Sequence, residues 1–141
     1  MQPYQIEVEA HTTPHDGQFL ADQLCTYNVE QTGYDDGKYL TLWAKSSMGE
    51  RLAGLYGWTW GGSCYIQDLW VHKDFRGQGY GTHLLHAAEH EARTRGCYQV
   101  VLDSYSFQAP AFYQKYGYKV FAILEDHPRH HRNYYLRKRL G

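Results

Sequence analysis

Three glycines alternate in Arg76-Gly77-Gln78-Gly79-Tyr80-Gly81. They follow an apolar run, Ile66-Gln67-Asp68-Leu69-Trp70-Val71, and precede a segment with helical spacing, Thr82 to Arg95. Glycine admits the backbone conformations that a tight turn needs and puts no Cβ in the way of an approaching ligand. A turn here aims main-chain N–H groups at one point, beside the positive end of the following helix, and such a point holds phosphate. A phosphorylated ligand gripped by backbone between Gly77 and Thr82 is therefore expected. A nucleotide P-loop is excluded, because no Gly-Lys-Ser/Thr follows the turn.

The elements that must position this turn belong to a chain of 141 residues, which suits one domain spanning 1–141. A hydrophobic fraction of 43% and an aromatic fraction of 16% exclude a disordered chain. The net charge of −1 argues against nucleic acid as a partner. Cys25, Cys64 and Cys97 form no CxxC pair, so neither a disulfide framework nor a zinc site is expected, and a reducing, cytoplasmic setting fits. No run approaches the ~18 apolar residues of a membrane span. Met1-Gln2-Pro3-Tyr4 lacks a basic-then-apolar leader, so no membrane partner is expected. His127, His130 and His131 crowd one loop without a zinc spacing and read as solvated; no metal is expected.

Alternation of Ile6, Val8 and Ala10 with polar neighbours predicts a strand over Gln5–Ala10. Thr13 and Pro14 suit the cap and first turn of a helix over His15–Glu30. Lys38–Lys45, Arg51–Trp60 and Ser63–Val71 read as three strands of an antiparallel meander, turned at Ser46–Glu50 and Gly61-Gly62. Thr82–Arg95 carries an apolar stripe of Leu84, Leu85, Ala88 and Ala92 and stops at Gly96. The β-rich run Tyr98–Tyr105 then pairs parallel to the third strand, as a strand–helix–strand unit requires. A short helix over Ala109–Tyr116 and a hairpin of Tyr118–Leu124 with Asn133–Arg139 complete the chain. Arg137-Lys138-Arg139 reads as a charged terminal strand that resists edge pairing. The expected fold is α/β (α+β): a mixed sheet of about six to seven strands with helices on both faces.

Three motifs resemble the GCN5-related N-acetyltransferase (GNAT) superfamily. They are the R/Q-x-x-G-x-G/A turn at Arg76–Gly81, the strand Asp68-Leu69-Trp70-Val71 before it, and Ala109-Pro110-Ala111-Phe112-Tyr113-Gln114-Lys115-Tyr116-Gly117-Tyr118. Each motif is weak alone, but the three in order and at the family's spacing are strong. One departure is Ser106, where the family often has Asn seven residues before the motif tyrosine.

The resemblance implies acetyl-coenzyme A (acetyl-CoA) as acyl donor, an amine on a small molecule or peptide as acceptor, and a homodimer. It places the pyrophosphate on the amides of Gly77, Gln78, Gly79, Tyr80, Gly81 and Thr82, with Arg76 either adding charge or bracing the turn. The pantetheine arm would bond the main chain of Leu69, Trp70 and Val71 as an added strand, with a further contact from Ser106. Trp70 either packs or lines the acceptor site.

The resemblance makes Asp68 the candidate general base, with binding of the acceptor's charge as its alternative. A free carboxylate near ~3.9 is a weak base, so the role calls for partial burial. Leu69 N–H would face the developing oxyanion. Tyr113 would protonate the leaving thiolate, or else only pack beneath the cofactor. At ordinary values, near ~10 for phenol and ~8.5 for thiol, that transfer is uphill by about 2 kcal/mol. The competing class is a catalytically silent acyl-CoA-binding regulatory module, which keeps the glycine turn but has no need of Asp68 or Tyr113.

Overall fold

A computed structural model describes residues 3–141 and divides into two compact units, 1–35 and 36–141. In the first, helix α1 spans Pro14–Thr32. Thr13 caps it, with the Thr13 N–H donating to Asp16 Oδ2 at 2.8 Å. Gly33, at φ 77°, closes it by donating to the Val29 carbonyl at 2.7 Å. The strand expected over Gln5–Ala10 does not form. Alternation makes a strand only where a neighbouring chain completes the ladder, and this stretch pairs with none.

The second unit is built on a sheet of six strands: β1 Lys38–Lys45, β2 Arg51–Trp60, β3 Ser63–Val71, β4 Gln99–Tyr105, β5 Lys119–Glu125 and β6 Arg132–Arg139. Their order is β1-β2-β3-β4-β6-β5, antiparallel except where β3 runs parallel to β4. Helix α2, Tyr80–Thr94, makes the β3–β4 crossover, and helix α3, Pro110–Lys115, joins β4 to β5. The mixed α/β sheet and the parallel crossover stand as expected. The core gathers Leu84, Leu85, Ala88 and Ala92 of α2 with Leu55, Cys64, Ile66, Val100, Leu102 and Leu136 of the sheet.

Two features of this unit were not visible in the residue pattern. The basic run Arg137-Lys138-Arg139 lies on β6, which is flanked by β4 and β5 and is not an edge. Lys138 Nζ reaches both carboxylate oxygens of Glu89 at 3.0 and 3.1 Å, and Tyr118 OH donates to the same carboxylate at 2.7 Å. Glu89, within the apolar stripe of α2, is buried and paired, as a buried charge must be.

The other is a β-bulge. Tyr56 stands opposite Asp68 while Gly57 stands opposite Ile66, leaving Gln67 as the extra residue on β3. The bulge switches which residues of β3 face the core: Cys64 and Ile66 before it, Leu69 and Val71 after it. Tyr65, Asp68 and Trp70 consequently share the opposite face. A Cβ on Gly57 would run into the Tyr65 backbone carbonyl, so β2 passes the bulge only as glycine. Gly57→Ala is expected to cost about 2 kcal/mol of stability, as overpacking does, read as a lowered urea midpoint.

Candidate active site

β3 and β4 pair only from Ser63–Ile66 to Gln99–Leu102. Beyond the bulge the two strands part, and a cavity of about 840 Å³ opens between them, walled by β3, the tip of β4 and the first turns of α2 and α3. The ladder to β2 continues on the other side, where the His72 N–H donates to the Leu52 carbonyl at 2.8 Å. Antiparallel alternation then spends the Trp70 backbone on Gly54 and turns the N–H and C=O of Leu69 and Val71 toward the cleft. Arg76 Nε donates to the Val71 carbonyl at 3.0 Å, so the Arg76 side chain braces the turn. Leu69 N–H, Leu69 C=O and Val71 N–H are left facing the opening.

The cavity lining includes a set of main-chain donors. Gly77 and Gly79 adopt φ of 75° and 90°, which favour glycine. Gly79 caps α2, and the first bond of that helix runs from the His83 N–H to the Gly79 carbonyl. The amides of Tyr80, Gly81 and Thr82 therefore have no carbonyl inside the helix to bond. Gly81 is already helical, and a Cβ there would meet Phe112 at 3.5 Å, an ordinary contact. Thr82 Oγ1 and Tyr116 OH bond at 2.9 Å, and Arg76 and Lys115 bring positive charge to the lining. Gln78 does not line the cavity; its amide donates to the Asp74 carbonyl at 3.4 Å.

Tyr113, Asp68 and Trp70 line the same cavity. Tyr113 is buried between Phe112 and Tyr118, ring centroids 5.2 and 5.8 Å away. Burial and, secondarily, the negative charge of Asp103 push its phenol up to about 12. Asp68 is exposed and accepts from the Gln67 amide at 3.2 Å. The partial burial that a base role calls for is not supplied by the protein alone. Trp70 is 45% exposed, turned from the core onto the edge of His72, and lines the cleft. Ser106 lies outside the lining, with its Oγ accepting from the Arg132 N–H at 3.2 Å. Ser104 reaches the lining instead, and its Oγ accepts from the Ala109 N–H at 3.3 Å. In the histidine loop, His131 packs edge-on against Phe107, a cavity-lining residue, at 5.0 Å.

Asp103 is a cavity residue that motif reading missed, and Lys115, inside the third motif, lines the cavity although the motif gave it no role. The Asp103 carboxylate accepts from Tyr65 OH at 2.7 Å and from Asn133 Nδ2 at 3.1 Å. The signal was a charged residue in the apolar strand Val100-Val101-Leu102-Asp103, whose partners lie 38 and 30 residues away.

Residues 3–118 match the Acetyltransferase (GNAT) family, and the chain belongs to it. An acetyltransferase of Agrobacterium fabrum is 35% identical over 99 residues, which cover 70% of this chain and 72% of that one. A blasticidin-S acetyltransferase of Streptomyces morookaense is 34% identical over 107 residues, covering 71% and 76%. The crystal structure of a Bacillus cereus acetyltransferase, 33% identical, superposes with a TM-score of 0.79 over 95% of this chain and 98% of its own. The protein is thus an acetyltransferase of a family that draws on acetyl-CoA.

The raised phenols have a consequence for stability. Tyr65 is pushed up to about 12, by burial first and then by its bond to Asp103, as Tyr113 is by burial. Unfolded tyrosines ionise near ~10, so the neutral folded phenol contributes stability that is intact below that pH and is lost as pH climbs toward the folded value. The loss for Tyr113 amounts to about 3 kcal/mol. Urea midpoints measured from pH 9 to 11.5 should fall in the wild type and fall less in Tyr113→Phe.

Proposed function

We propose that the protein transfers the acetyl group of acetyl-CoA to a primary amine of a small molecule by direct attack in a ternary complex. The observation that carries this is a cleft at the strand splay lined by both signs of charge. Its lining holds free helix amides with Arg76 and Lys115, and the carboxylates of Asp68 and Asp103, which share the neighbourhood of Tyr65. The first suits a pyrophosphate and the second a protonated amine. The Streptomyces relative, named for acetylating blasticidin S, supports a small-molecule acceptor.

In this reading the main chain of Leu69 and Val71 bonds the pantetheine arm, and Leu69 N–H faces the carbonyl oxygen as it gains charge. Asp68 takes the proton of the ammonium, directly or through water, once the bound acceptor shields it from solvent. A C–N bond forms, the C–S bond breaks, and the thiolate leaves with a hydrogen bond from Tyr113 and takes up the second proton, which the attacking nitrogen sheds on becoming an amide. With the phenol at about 12, full proton transfer to a thiolate of ordinary basicity is uphill by about 5 kcal/mol. A buried thiolate is itself more basic, which narrows the gap. Tyr113 therefore acts first as a hydrogen-bond donor that stays neutral throughout the working pH range.

Release of CoA with a panel of primary amines tests the reading; saturable binding of acetyl-CoA with no turnover on any amine would identify a regulatory acyl-CoA-binding module instead. Tyr113→Phe should lower kcat about a hundredfold with acetyl-CoA affinity within threefold, and full activity would remove its role at the sulfur. Gly81→Ala separates binding from folding. The helix gains propensity and the protein has room for the methyl group, so the melting temperature should hold or rise while the KM for acetyl-CoA climbs about tenfold. An unchanged KM would mean that the pyrophosphate does not approach this backbone.

A further inference from the structure

Most residues that line the cleft are exposed or half-buried, but Ile66, Leu102, Ser104 and Tyr113 are 2%, 1%, 3% and 8% exposed. Residues covered to this degree border the cavity from within the fold, so they mark its innermost part. None of the four is charged, since burial keeps the Tyr113 phenol neutral. Ser104 Oγ already accepts from the Ala109 N–H, and Ile66 and Leu102 are aliphatic. The charged lining residues Arg76, Lys115 and Asp68 are all exposed.

This inner part is closed. Ile66 and Leu102 stand opposite each other as the last pair of the β3–β4 ladder before the strands separate. Both belong to the core that takes in Leu84 and Leu85 of α2. Behind them the ladder is intact, and a close-packed interior has little room to yield.

Chain order supplies a direction. Along β3 come Ile66, Leu69 and Val71, followed by the turn at Arg76–Gly81. A thioester carrier held at the turn and bonded along Val71 and Leu69 runs toward Ile66. At about 3.3 Å per residue, Leu69 and Ile66 stand within about 10 Å of each other. Tyr113, the donor to sulfur in the proposed reading, belongs to the same buried set as Ile66 and Leu102. The group that sulfur carries therefore meets two aliphatic side chains that cannot retreat.

We infer that Leu102, with Ile66, is the stop that reads the length of the acyl group, fitting the cleft to acetyl and turning away butyryl and longer chains. Leu102 takes no part in bond making; it is a specificity residue that sets what fits beyond the thioester carbonyl. This rests on the acetyl-CoA reading given above.

The test compares acetyl-CoA with butyryl-CoA as donors, using the amine of the panel that turns over fastest. Wild-type kcat/KM should favour acetyl-CoA about tenfold or more, as overpacking a filled interior is costly. Leu102→Ala, which shortens the side chain to a methyl group, should cut that preference about tenfold. Leu102→Val is milder, serves if the alanine variant does not fold, and should cut it about threefold. Both donors meet the same enzyme, so their ratio does not depend on how much of it is folded. Val100→Ala is the control. Val100 is 0% exposed on the same strand and in the same core, but lies outside the cavity lining. That variant should lower the melting temperature and leave the ratio unchanged.

Calorimetry without amine gives a second readout. The wild type should bind acetyl-CoA more tightly than butyryl-CoA, and in Leu102→Ala the order should reverse, by about fourfold for each methylene admitted. A wild type indifferent to acyl length, a ratio unmoved in both Leu102 variants, or an equal change in Val100→Ala overturns the inference. A protein that turns over no amine yet shows the reversed binding order sustains the acyl stop and overturns the transferase reading; no binding of either thioester overturns both.

Discussion

The site depends on a sheet that fails to close. β3 and β4 exchange hydrogen bonds over four residue pairs and then separate, so the main chain of Leu69 and Val71 is left without a strand beside it. Unpaired backbone groups in a sheet interior are costly and need a partner. In the proposed reading that need becomes a binding edge for an extended, amide-bearing ligand. The bulge at Gln67 accompanies the separation, since an extra residue bends its strand and breaks the ladder locally. Gly57 permits it from the neighbouring strand.

The same bulge sorts the chemistry. By changing which residues face the core it keeps Leu69 and Val71 packed inward and sends Asp68 and Trp70 to the face already occupied by Tyr65. The lining that results carries the donors and charge of the Arg76–Gly81 turn together with the carboxylates of Asp68 and Asp103. In the proposed reading, a donor with a diphosphate and an acceptor with a positive charge each find opposite charge there. Burial keeps Tyr113 neutral, the state that its proposed role as donor to the leaving sulfur needs.

Beneath this surface, the Glu89–Lys138–Tyr118 cluster ties α2 to the last hairpin. Tyr118 donates to Glu89, Lys138 Nζ sits 5.6 Å from the Tyr118 ring, and the Tyr113 ring packs edge-on against Tyr118. Removing either charge would leave the other uncompensated next to the core, which is far costlier than losing an exposed ion pair. The rigidity of Tyr113 thus rests on a buried ion pair between a helix and a strand 49 residues apart in sequence.

Local physics was legible in the chain. The three strands of the meander carry the bounds that their alternation and turn residues predict, and Thr13, Gly33 and Gly96 mark helix ends because capping and left-handed φ are demands of a few neighbouring atoms, whereas α2 starts at Tyr80, ahead of the expected Thr82, and takes in Gly81. The glycine turn and the tyrosine motif were legible for the same reason. What required other parts of the chain was not. The alternation at Gln5–Ala10 found no partner strand, and Arg137-Lys138-Arg139 became an interior strand with an inward lysine. Ser106 turned to the Arg132 backbone, and Asp103 entered the cleft through Tyr65 and Asn133. Sequence alone determined the elements and the glycine turn, since those are set by residues within a few positions of one another. Only the tertiary structure decided where the strands part and which carboxylates meet there, because a bulge, a buried ion pair and a shared sheet face exist only once distant strands have paired.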